Sequence, residues 1–95
     1  MSPEHQARLK DLFAKTPSPA LAGALRILED KREADKLSEF ELMSRAWTIE
    51  ELEKRFPAAS QAVEDAFMES ETALMAGNPY SEVDYVAVLL ANIEI

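Results

Sequence analysis

Residues 37–42 read Leu37-Ser38-Glu39-Phe40-Glu41-Leu42, and the same grammar returns at Trp47-Thr48-Ile49-Glu50-Glu51-Leu52 and at Tyr80-Ser81-Glu82-Val83-Asp84-Tyr85. Each stretch runs large apolar, Ser or Thr, two residues, an acid, large apolar. A hydroxyl followed three residues later by a carboxylate is a capping box. The hydroxyl accepts from the N3 amide, and the acid reaches back to the cap's own N–H. The flanking apolar residues sit where a hydrophobic staple packs. The three stretches therefore predict three helix starts. Ser2-Pro3 and Ser18-Pro19 predict two more, because proline suits the first helical position. Gly77-Asn78-Pro79 predicts a helix end.

Working outward, six helical segments are expected. The first covers about 3–15, with Leu9, Leu12 and Phe13 on one face. The second covers about 19–36, with Leu21, Ala24, Leu25 and Leu28 inward. Short helices follow at about 39–46 and 49–56, with Trp47 as staple and core anchor. The fifth covers about 58–76 and carries Ala59, Val63, Ala66, Phe67, Ser70 and Leu74 at helical period. The last, about 82–93, is rich in residues of strand propensity. Its cap, and the absence of a strand partner elsewhere, favour a helix, apolar nearly all round and so central or interfacial. The fold class is all-α: one domain over residues 1–95, a small bundle of five or six helices.

Thr48 to Val63 resembles the helix-turn-helix of bacterial transcription regulators, with Ile49, Leu52, Phe56 and Val63 on its apolar pattern. The resemblance implies a two-helix corner near residues 48–63. Pro57 stands where that family carries a turn glycine, and proline cannot take positive φ. The second helix of the pair holds Glu64, Asp65, Glu69 and Glu71 with no Lys or Arg. Nucleic-acid affinity rests on cations that displace counterions, so direct nucleic-acid binding is not expected.

Charge is the most directive property. The formal net is -8. Residues 1–37 hold seven Lys/Arg and six Asp/Glu, whereas residues 38–95 hold three and twelve. After Arg55 no Lys or Arg occurs, and seven acids follow. That field repels phosphate and anionic membranes and attracts basic surfaces.

The chemistry-bearing residues are sparse. His5 is the single histidine, and it lies in the first turn of a helix, with no nucleophile–base arrangement around it. The two glycines, Gly23 and Gly77, build no phosphate loop. No Glu-x-x-His pair and no acidic loop with a turn glycine suggests a metal. Neither catalysis nor a cofactor is expected. Cysteine is absent, and Met1-Ser2-Pro3-Glu4-His5-Gln6 lacks the basic and apolar regions of a signal peptide, which together suit the cytoplasm. The longest apolar run is seven residues, short of a membrane span.

A protein-binding role fits this inventory. Met68 and Met75, with Glu64, Asp65, Glu69 and Glu71, outline an apolar seam rimmed with acids; a broadened core stripe is the competing reading of the methionines. The expected function is a non-catalytic module or inhibitor whose acidic helical surface docks on a basic partner protein; nucleic-acid-binding proteins are one class of such partner. In composition the chain resembles the small, acidic, cysteine-poor inhibitors of nucleic-acid enzymes encoded by phages and mobile elements. The alternative is a helix-turn-helix-derived regulatory or structural protein that forms a homodimer.

Overall fold

A computed structural model of the chain describes residues 2–79 and 82–93. Among these residues the regular structure is entirely helical: α1 (Pro3–Lys15), α2 (Ser18–Glu33), α3 (Glu39–Arg55), α4 (Pro57–Met75) and α5 (Tyr85–Ala91). The contacts divide into two compact units, one holding α1 to α3 as far as Arg55 and one holding α4 and α5 from Phe56 onward. No helix among the described residues is long and apolar enough to cross a membrane.

In the first unit, Ser2 caps α1 as expected, accepting from the His5 amide at 3.2 Å. At α2 the sequence reading is off by one: Pro17 is the N-cap and Ser18 already lies inside the helix. Leu21, Ala22 and Leu25 bury the inner face of α2 against α3. Leu28 is half-buried and Ala24 is exposed. Asp35 ends α2 at φ 56. There the Lys36 amide bonds to the Lys31 carbonyl at 2.9 Å and the Asp35 amide to Arg32 at 3.0 Å, the Schellman pattern with a left-handed residue at C′.

The capping box of the opening motif is realised at α3. The Glu41 amide donates to Ser38 Oγ at 3.2 Å, and Glu41 Oε1 accepts from the Ser38 amide at 3.3 Å. Its staple is loose, because Leu42 is 50% exposed. The second copy of the motif is not a helix start. Residues 39–55 form one uninterrupted helix, so the two short helices expected there are a single element. Thr48 Oγ1 donates backwards to the Ser44 carbonyl at 2.7 Å, and Glu51 turns forward to Arg55 at 3.0 Å. Thr48 is 1% exposed, and its environment in the core outweighs its capping potential. Trp47 is half-buried rather than a core anchor, with its ring edge-on to Phe13 of α1 at 6.1 Å.

In the second unit, α4 opens at Phe56 with Pro57 in its first position and no side-chain cap. One residue therefore separates Arg55 and Pro57, whereas a helix-turn-helix uses a turn of three or four. The helix break falls inside residues 48–63, at Phe56. Gly77, at φ 89, closes α4 with the same Schellman pairing: Asn78 to Ala73 at 3.0 Å and Gly77 to Leu74 at 3.1 Å. Ala59, Val63 and Ser70 are buried on α4, and Val86 and Leu89 on α5. The two helices pack together, with the Phe67 and Tyr85 rings 6.3 Å apart. The third copy of the motif starts late: Tyr80 and Ser81 lie outside the described residues, and Asp84 is the cap, accepting from the Ala87 amide at 3.1 Å. Helix α5 buries one face only, since Ala87 and Ala91 are exposed.

Candidate functional site

Helix α4 presents its far side to solvent. Ala59, Val63 and Ser70, at intervals of four and seven, lie on the buried side. Met68 and Met75 are seven residues apart, close to two turns at ~3.6 residues per turn, so they align about 10 Å apart along the opposite side. They are 63% and 88% exposed. The methionines are thus a surface seam and not an extension of the core stripe.

Four carboxylates frame this seam. Glu64 and Glu71, also seven apart, run along one edge, and Asp65 and Glu69, four apart, along the other. All four residues are exposed. Asp65 accepts a hydrogen bond from Gln61 Nε2 at 3.0 Å, which holds it on its edge. No Lys or Arg exists between residues 56 and 95, so nothing in this unit neutralises the frame. The six residues singled out in the sequence therefore share one helix face. A thioether is flexible and polarisable, able to adapt to irregular apolar partners. Carboxylates around it confer attraction at a distance rather than affinity in contact.

Several basic residues of the chain are engaged elsewhere. Lys15 meets Asp11 at 2.9 Å, and Lys31 meets Glu41 at 2.6 Å. Glu29 takes both Arg32, at 3.0 Å, and Arg45. Burial pushes the Glu29 carboxyl up, but the hydrogen bonds from Arg32 and Arg45 outweigh it and hold the group below its ordinary 4.5. The hydrogen bond from Lys31, with that of the Ser38 amide, likewise lowers Glu41. All of these pairs lie within residues 2–55.

Arg55 is the residue that sequence reasoning missed. Its Nη1 donates to the Thr16 carbonyl at 2.6 Å and to Ser18 Oγ at 3.1 Å, and its Nη2 to the Phe13 and Ala14 carbonyls, each at 3.0 Å. The Glu51 spacing was legible as an i,i+4 pair, but the carbonyls lie about forty positions away in sequence and only folding brings them together. Beside it, Lys10, Phe13, Trp47, Glu50 and Lys54 line an open recess of about 150 Å³.

No protein-family model matches the chain, and comparison with curated proteins and with solved structures gives no match.

Proposed function

We propose that the chain is a non-catalytic protein-binding module whose α4 face docks on a basic partner protein. One observation carries this reading. Two exposed methionines lie in register inside a frame of four acids, on a segment without a single cation. Scattered exposed apolar residues are ordinary. An aligned pair rimmed by one sign of charge has the form of an interface core with a steering rim. The same charge opposes pairing of this face with a second copy of itself. Docking on a cationic surface would occlude it, which makes inhibition of a nucleic-acid-binding partner the natural consequence.

The test is affinity capture with the full chain, followed by titration of the captured partner. Met68→Ser with Met75→Ser is expected to weaken binding about ten-fold, equivalent to ~1.4 kcal/mol lost from the apolar centre. Glu64→Lys with Glu71→Lys is expected to slow association and to flatten the salt dependence. A captured partner whose affinity ignores both pairs of substitutions, or is indifferent to salt, refutes the proposal.

A further inference from the structure

Helix α4 carries a second apolar column beside the methionine seam. Phe67 and Leu74, seven residues apart, are 37% and 50% exposed. At ~100° per residue, Phe67/Leu74, Glu64/Glu71 and Met68/Met75 follow one another around the helix at steps of about 40–60°. The Glu64/Glu71 edge of the seam is therefore the middle of a wider face, with apolar side chains on both flanks. The flanks differ in stiffness. Phe67 is set against the Tyr85 ring of α5 at 6.3 Å, whereas Met68 and Met75 are exposed and unbranched.

Each of the three columns repeats after seven residues, about 10.5 Å along the axis. That repeat selects the backbone of an occupant. A strand returns side chains to one face at about 7 and 13 Å, and neither interval meets the pair. A helix has the same rise and the same return at seven, and it packs lengthwise on α4 with its columns in register. Charge selects the side chains. Glu64 and Glu71 are exposed, and no Lys or Arg follows Arg55. A surface that covers them must bring its own cations, because a buried carboxylate without a partner is costly. An arginine fork meets a carboxylate in two bonds while its apolar stem lies on the flanks. A second copy of this chain does not meet the requirement. Its one pair of cations seven apart, Arg8 and Lys15, has Leu12 on one flank but Asp11 on the other, and Asp11 binds Lys15 at 2.9 Å.

We propose that the α4 face takes a basic amphipathic α-helix of a partner protein, laid lengthwise with a column of Arg or Lys over Glu64 and Glu71 and an apolar column against each flank. The inference rests on the reading of α4 as the docking face and adds the partner's secondary structure and register. It also brings Phe67 and Leu74 into the interface, beside the methionines.

Titration of the full chain with synthetic peptides tests it. The probe has about three identical heptads, with Arg at the first position, Leu at the fourth and fifth, and Ala or Gln elsewhere. The reference peptide has the same composition in shuffled order. The heptad peptide is expected to bind at least about ten-fold tighter than the shuffled one and to gain helix on mixing, read by circular dichroism. Leu74→Ser is expected to weaken the heptad peptide about five-fold and to leave the shuffled one unchanged. Met75→Ser, at an 88% exposed position, is expected to act alike and guards against a folding defect in the first variant. Equal, salt-sensitive affinity for both peptides overturns the helix assignment and leaves the basic-partner reading in place. Binding of neither peptide counts against both. Self-association of the free chain, seen by sedimentation and abolished by Leu74→Ser, gives the face to a second copy and also overturns the proposal.

Discussion

Glu29 is 8% exposed yet charged, because two guanidiniums reach it from different helices. Its lowered pKa fixes the sign of its pH effect. A carboxyl held below its unfolded value contributes stability that is complete above about pH 4.5 and drains as pH falls through the lower folded value. Glu29→Gln is expected to flatten that acid limb and to cost about 2 kcal/mol at neutral pH, measured by urea unfolding across pH. Asp35 offers the opposite opportunity. It holds φ 56, which costs an ordinary L-residue roughly 1–2 kcal/mol and glycine nothing. Asp35→Gly is expected to raise stability by about 0.5–1 kcal/mol in the same experiment; a loss would show that its side chain has a local role of its own.

Among the helices, identical sequence grammar has different outcomes. Ser38 makes a true capping box, so Ser38→Ala is expected to cost about 1 kcal/mol and to fray the start of α3. Thr48 sits mid-helix with its hydroxyl turned back to Ser44, so Thr48→Val, which keeps the shape, is expected to change stability by less than about 1 kcal/mol. A cap-sized loss at Thr48 would mean that α3 is interrupted after all. The difference was not visible locally. Both stretches satisfy the pattern, and what distinguishes them is that Thr48 is buried within a continuous helix while Ser38 follows the left-handed residue Asp35, which ends α2. That ending was itself hidden, because the left-handed residue is an aspartate and not a glycine. At Gly77 the signal was explicit, and the helix ends there.

For the chain as a whole, the formal net of -8 is concentrated where no cation follows. Self-repulsion of this kind destabilises a compact state and is relieved by screening. Thermal melts in rising sodium chloride are expected to move upward by about 4 °C, the effect of ~1 kcal/mol in a chain of this size. A downward shift would mean that the bridges of residues 2–55 outweigh the repulsion. The all-helical class, the caps at Ser2, Ser38 and Gly77, and the shared face of Met68 and Met75 were all determined by sequence alone, because capping and helical period act over a few residues. The merger of two expected helices into α3, the clamp of Arg55 on α1, and the burial of Glu29 were decided by tertiary structure. Each depends on groups distant in the chain meeting at hydrogen-bonding range, and no local pattern records that meeting.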